Sequence, residues 1–365
     1  MNQSPLQELA SLARCPYTGD RLQAVPADAF AEHLTAEAFR QRPPETSAAL
    51  ISAAAGLAFP VVRGVARFLE SDGLALRQGR DLPAPIGDSA TRDAVQSWYE
   101  DFGWQPTDDG SCGDTALFSQ QGHEGHGFYE AHSHLRPLEH LVGGAYLLDA
   151  ASGPIAHPEY LAYSWYHRRR VCVDLSLAAL ETVSARLGAH ALCLRADLRR
   201  LPFADDSFQG VVSGYTVQHV AAQDQEGALA ELYRVLAPGH RLCVMTNLAP
   251  GLPARLLRAL LRRWPDRPAA GGGAAGDDAA PLYCHLQNRP WWRHQGRRLG
   301  AGLEIRTLRL LQRDEFRKLF ASSTPAARRV LACEAAFPRL LAPFAEYGLV
   351  TLAKANSEAL PTTSG

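Results

Sequence analysis

Short apolar runs, each ended or followed by a polar residue, recur along the chain from about residue 141 to 355. They are Ala145-Tyr146-Leu147-Leu148-Asp149, Val171-Cys172-Val173-Asp174, Ala191-Leu192-Cys193-Leu194, Gly210-Val211-Val212-Ser213 and Arg241-Leu242-Cys243-Val244-Met245. Between them, over 177–187 and 223–236, apolar positions repeat at helical spacing. A run with no alternation is a strand buried on both faces, and the amphipathic helices between runs supply the two covering layers. The pattern predicts a doubly wound, mostly parallel α/β sheet, because right-handed crossovers put helices on both sides. Two more strands, over 303–311 and 347–353, are expected around a helix.

The preceding residues have a different texture. Residues 1–70 mix short apolar runs with turn residues, and the run 59–69 alternates around Gly64, which predicts a hairpin in a small β-rich module. Residues 71–140 form a linker and helical lead-in: Pro83, Pro85 and Gly87 mark the linker, and Val95, Trp98 and Tyr99 fall at helical spacing. Five histidines follow, His123, His126, His132, His134 and His140. The pair two apart does not share a helix face, and no acidic pattern completes a ligand set. They are read as solvated loop residues, and no metal site is expected. An insertion over 250–300 breaks the strand–helix rhythm. It holds a basic amphipathic stretch (254–264), a flexible Ala/Gly/Asp-rich segment (269–280) and Arg289-Pro290-Trp291-Trp292-Arg293-His294. Residues 356–365 are expected to be a disordered tail.

Composition narrows the function. Thirty-seven Lys and Arg against 38 Asp and Glu leave a net charge of -1, so no global field draws nucleic acid. The seven cysteines are odd in number and contain no CxxC pair, which fits a reducing, cytoplasmic setting better than a disulfide framework. The first residues do not read as a signal peptide, and no run is long and apolar enough to predict a membrane span.

In such a sheet, ligands bind beyond the carboxyl ends of the strands. Four loops should therefore share one site. The first, Asp149-Ala150-Ala151-Ser152-Gly153-Pro154-Ile155, has small residues that let a ligand approach the backbone. Asp174 lies 21 residues beyond Gly153, where a carboxylate suits a ribose diol. Asp197 and Leu198 offer a carboxylate to an exocyclic amine and an apolar wall to a purine. Ser213-Gly214-Tyr215-Thr216-Val217-Gln218-His219 opens above the fourth strand.

Five tracts in order carry a family likeness: Leu147 to Pro154, Val173-Asp174-Leu175-Ser176, Ala196-Asp197 through Leu201 to Phe208, Gln218-His219-Val220, and Glu231 to Gly239. With these the chain resembles the class I S-adenosylmethionine-dependent methyltransferases. The resemblance implies a seven-stranded, mostly parallel Rossmann-like sheet over 141–355, with S-adenosylmethionine as cofactor. The implied cofactor contacts are Asp149, Ala151, Ser152, Gly153, Asp174, Leu175, Asp197, Leu198 and Ser213. Within that set, Ser152–Gly153 would hold the methionine part, Asp174 the ribose, and Asp197 with Leu198 the adenine. Ala151 and Ile155 replace the outer glycines of the family's loop, so that loop is expected to leave the site differently. Cys15-Pro16 and Phe59 to Val65 make residues 1–70 similar to the zinc-ribbon-like module that accompanies some methyltransferases. Cys15 is without partner ligands there, so no zinc is expected.

His219 and Tyr215 are the candidate catalytic residues; an imidazole can take a proton from an acceptor hydroxyl or amine near neutral pH. Tyr99, Tyr163 and Tyr166 are aromatics that would either cap the site or belong to the core. A small-molecule acceptor is the first reading. The alternatives are tRNA or rRNA, suggested by the N-terminal likeness, and a non-catalytic regulator that only binds the cofactor. A nicotinamide oxidoreductase would need Gly-x-Gly-x-x-Gly, which Gly153-Pro154-Ile155-Ala156 does not supply.

Overall fold

The computed structural model describes residues 4–77, 86–107, 112–114, 124–262, 282–320 and 323–356. The expected Ala/Gly/Asp-rich segment, His123 and most of the C-terminal tail lie outside them. Twelve strands make one sheet: β1 Gln23–Pro26, β2 Thr46–Ser52, β3 Leu57–Val62, β4 Val65–Arg67, β5 Leu74–Ala75, β6 Gly144–Ala150, β7 His167–Asp174, β8 Ala191–Arg195, β9 Gly210–Gly214, β10 Arg241–Asn247, β11 Gly302–Arg309 and β12 Tyr347–Ala353. Their spatial order is β1-β2-β3-β4-β8-β7-β6-β9-β10-β12-β11, and β5 pairs with β3.

The stretch β8-β7-β6-β9-β10 is parallel throughout, and β12 runs antiparallel to both β10 and β11. The apolar runs are buried on both faces. Leu148, Val171, Val173, Leu194 and Val211 pack into one cluster, while Leu147, Val212, Cys243 and Met245 pack into another on the opposite side. The helix Leu177–Leu187 starts at Ser176, whose hydroxyl caps the Ala179 N–H, and it buries Leu180 and Val183. The next covering helix is Gln225–Arg234, and among the described residues three α-helices and a 3-10 turn, rather than one helix, separate β11 from β12.

The expected seven strands correspond to β6–β12, and the sheet exceeds them by five. The β-rich start of the chain is continuous with the same sheet, because β4 runs parallel to β8 with Val65 opposite Cys193. An edge strand exposes unpaired backbone groups, and β4 covers those of β8. The hairpin around Gly64 forms as expected: Arg63 and Gly64 take φ of 50° and 80°, the two-residue turn whose twist matches its strands. Three residues of β4 are too short a run to announce a sheet partner in the sequence. No helix among the described residues is long and apolar enough to cross a membrane.

Candidate functional site

The chain leaves β6 for β7 and β8 on one side, then returns to β9 and β10 on the other. Loops after β6 and β9 therefore diverge, and a cavity opens at that point. Ala151, Ser152, Asp174, Leu175, Asp197, Leu198, Tyr215 and His219 all line it, as does Asp149. Two of the expected contacts do not. Ser213 is fully buried with its hydroxyl unpartnered, and Gly153 lies against Trp104.

The loop after β6 keeps a glycine-like path without the glycines. Ala151, Gly153 and Ile155 have φ of 62°, 51° and 56°, all left-handed. For a residue with a Cβ this costs about 1–2 kcal/mol. Burial of Ile155 against Leu180, Val183 and Cys172 offsets its share. The expected change of path at Ile155 is therefore not seen as a loss of left-handed geometry. At Gly153 a Cβ would sit 2.7 Å from the Trp104 indole, which itself stacks on Tyr99 at 4.7 Å.

Asp174 closes this loop. Its carboxylate accepts the Gly153 N–H at 2.8 Å and the Ser176 N–H at 2.9 Å. Burial pushes its pKa up to about 6, against the pull of those two donors. Asp149, one strand over, accepts from the Arg170 Nε at 3.0 Å, and Arg170 is only 1% exposed. This buried ion pair ties the carboxyl end of β6 to the middle of β7.

On the β8 side, Asp197 accepts the Arg199 backbone N–H at 2.9 Å and its Nη2 at 2.7 Å, with Arg92 at 3.5 Å. Arg199 also reaches Asp224 at 2.7 Å. The Asp197 carboxylate thus faces the cavity already engaged by guanidinium groups. Above it lies the helix Ser89–Trp98, capped by the Asp88 carboxylate on the Thr91 N–H, and it contributes Arg92, Val95 and Gln96 to the lining.

On the β9 side, the Nδ1 of His219 lies 2.7 Å from the Tyr283 carbonyl. A carbonyl can only accept, so Nδ1 carries the proton and Nε2 keeps its lone pair. Burial lowers the pKa of this ring, which holds it neutral near pH 7. Tyr215 has φ of 54° and an unpartnered buried hydroxyl, and burial raises its pKa. Its hydroxyl therefore keeps its proton. Of the other tyrosines, Tyr99 and Tyr163 line the cavity, whereas Tyr166 is 74% exposed and does not.

The histidines correct the sequence reading. Described residues of that run form the helix Glu124–His134 and the turn Arg136–His140, in which His126, His134 and His140 are buried and His132 alone is exposed. Burial lowers the pKa of all three buried rings. Their packing partners are remote in sequence, such as Phe316 for His126 and His157 for His134.

Cavity residues outside the sequence-derived set include Asp88, Arg92, Trp104, Asp114, His157, Tyr160 and Met245. Asp114, like Asp174, is raised by burial to about 6. The aromatic density of residues 98–104 was the one signal that could have pointed to this part of the lining.

Comparison with known proteins bears on the strands that carry the site. Residues 148–244 match the methyltransferase domain family. This span runs from β6 to β10 and contains the loops bearing Asp174, Asp197 and His219. A ubiquinone/menaquinone biosynthesis C-methyltransferase of Desulfotalea psychrophila is 34% identical over 39% of this chain and 57% of its own length. A demethylmenaquinone methyltransferase of Thermus thermophilus is 47% identical over 29% of this chain and 48% of its own. The chain thus spans about half the length of these curated relatives. Among solved structures, a geranyl diphosphate C-methyltransferase of Streptomyces coelicolor A3(2) superposes with a TM-score of 0.44 at 15% identity, over 73% of this chain and 98% of that one.

Proposed function

We propose that this chain transfers the methyl group of S-adenosylmethionine to a small-molecule acceptor with a hydroxylated ring. The observation that carries the reading is Asp174, held by the Gly153 N–H at the switch point inside the segment that matches the methyltransferase domain. The cofactor supplies an electrophilic methyl on a sulfonium; the residues present fit it. Asp174 would accept the ribose hydroxyls, Leu175 and Leu198 would face the adenine, and the Ala151–Ser152 backbone would lie along the methionine part. The left-handed backbone at Ala151 and Ile155 supports a loop shaped as glycines would shape it, which removes the motive for a regulator that merely binds.

His219 then acts on the acceptor. Its Nε2 accepts the hydroxyl proton while Nδ1 stays bonded to the Tyr283 carbonyl, so electron density moves into the acceptor before attack. Tyr99, Tyr160 and Tyr215 give the acceptor flat apolar walls and exclude water. One relative is named for ubiquinone/menaquinone biosynthesis and the other for demethylmenaquinone, which suits a ring of this kind. The same reading divides the chain at about 70 and 140, with the zinc-ribbon-like likeness confined to the first part.

Calorimetric titration with S-adenosylmethionine tests the reading, with NADH as control ligand and Asp174→Ala as control protein. Binding that disappears in the variant supports it, and transfer of labelled methyl to a hydroxynaphthoquinol rather than to RNA completes it. A folded protein that binds no S-adenosylmethionine refutes it.

A further inference from the structure

On the β9–β10 side of the cavity stands a cluster for which methyl transfer has no evident use. His134, His157 and Glu159 each bring a donor atom within 4.8 Å of the other two. They come from separate elements: His134 ends the helix Glu124–His134, and the other two belong to the loop after β6 and the turn Pro158–Ser164. The two imidazoles meet edge to face with centroids 4.6 Å apart.

His134 is 1% exposed, and its Nδ1 has no hydrogen-bond partner. A polar nitrogen stripped of water and given nothing in return is costly, so the position calls for a ligand. Its backbone is fixed as well, since the Tyr163 hydroxyl donates to the His134 carbonyl at 2.6 Å. Glu130, one helical turn earlier, is taken by Arg309. Glu159 has no ion pair among the described residues, which leaves its carboxylate for the cluster.

Two imidazoles and one carboxylate are the donor set of zinc and non-haem iron sites, and three protein ligands leave a coordination position open. Oxygen-seeking ions such as Ca²⁺ and Mg²⁺ would want more carboxylates than are here. We infer that His134, His157 and Glu159 bind a divalent transition ion of the zinc class at the edge of the cavity. His157 and the adjoining Tyr160 line that cavity, so the open position is available to an oxygen of the methyl acceptor. The acceptor's part rests on the methyl-transfer reading; ion binding does not. Ligand atoms around tetrahedral zinc lie roughly 3.4 Å apart, so donors that lie within 4.8 Å of one another draw closer when the ion enters.

The test uses the metal-stripped full chain, without cofactor, titrated with Co²⁺ by visible absorption and then competed with Zn²⁺. One equivalent should bind with the visible bands of a low-coordinate cobalt site. His134→Ala, His157→Ala and Glu159→Gln should each weaken binding at least about tenfold, the lower end of what losing even an outer partner costs a site. His132→Ala, exposed on the same helix and outside the cluster, should bind as the parent does. Thermal unfolding in chelator establishes that each variant is folded, and Glu159→Gln, at a partly exposed position, decides the matter if His134→Ala is not. Absence of the cobalt bands at one equivalent, or unchanged affinity in Glu159→Gln and His157→Ala, overturns the inference. S-adenosylmethionine titrated in chelator reads the cofactor site separately, so failure of either proposal is recognised by itself.

Discussion

Four strand spacings, about 19 Å, separate the β8 side of the cavity from the β10 side, and the two sides handle burial in opposite ways. Near β8 the polar groups are charged and paired: Arg199 with Asp197 and Asp224, and Arg92 with Glu70. Near β9 and β10 the tyrosines and histidines at the cavity are neutral, with the buried Arg309–Glu130 pair the charged exception. Burial raises the pKa values of Tyr160, Tyr163 and Tyr215 and lowers those of His134 and His157. A buried ionisable group must either find a counter-charge or give up its charge, and this cavity does one on each side. The paired side suits fixed recognition of a polar ligand. Neutral donors and lone pairs on the other side remain free to accept a proton or an ion.

The largest effect should come from breaking the paired side. Among the described residues, Arg199→Met leaves Asp224 with the Asp88 backbone N–H, and Asp197 with the backbone N–H of residue 199 and Arg92 at 3.5 Å. Both carboxylates then lose charge-assisted bonds, and denaturant unfolding should show a loss of about 2–3 kcal/mol.

Acidity gives the next test. The pKa of Asp174 rises from 3.8 to about 6 on folding. A carboxyl whose folded value is raised contributes most to stability below the unfolded value, and that contribution is lost as pH climbs to about 6. Cofactor affinity should run the other way, because ribose hydroxyls need the carboxylate as acceptor. It should weaken by up to about tenfold per pH unit below 6, measured by calorimetry. Asp174→Asn should flatten the slope, whereas Asp114→Asn should leave it.

A smaller change is expected on the neutral side. Tyr163→Phe removes the bond to the His134 carbonyl while keeping the ring, and should cost about 1 kcal/mol in thermal or denaturant unfolding. A loss as large as that of Arg199→Met would erase the contrast between the sides. Smallest of all, Ala151→Gly should stabilise the protein by under about 1 kcal/mol, since it relieves a left-handed alanine and gives back part of the gain as chain entropy.

The paired side was the more legible one. Asp174 and Asp197 stand at the ends of apolar runs, so a reader of the sequence can place them at strand ends and infer that they meet. Nothing in the sequence announced Arg199 as the partner that holds Asp197, or Arg170 as a buried guanidinium, because Arg168, Arg169 and Arg170 look alike along the chain. Of these, Arg168 is largely exposed while Arg170 is buried on Asp149. The neutral side is less legible: its histidines read as solvated loop residues because their burying partners, Phe316 and His157, come from other elements of the chain.

The sequence by itself determined where the strands β6–β10 run, that both of their faces are covered, and which loops converge. Those are consequences of local periodicity, and periodicity is written in consecutive residues. Tertiary structure alone decided that β4 extends the sheet beside β8, that the helix Ser89–Trp98 lies over the cavity, and that His134 meets His157 and Glu159. Each is a contact between segments many residues apart. Such contacts are chosen by the shape and charge of surfaces that exist only once the chain has folded.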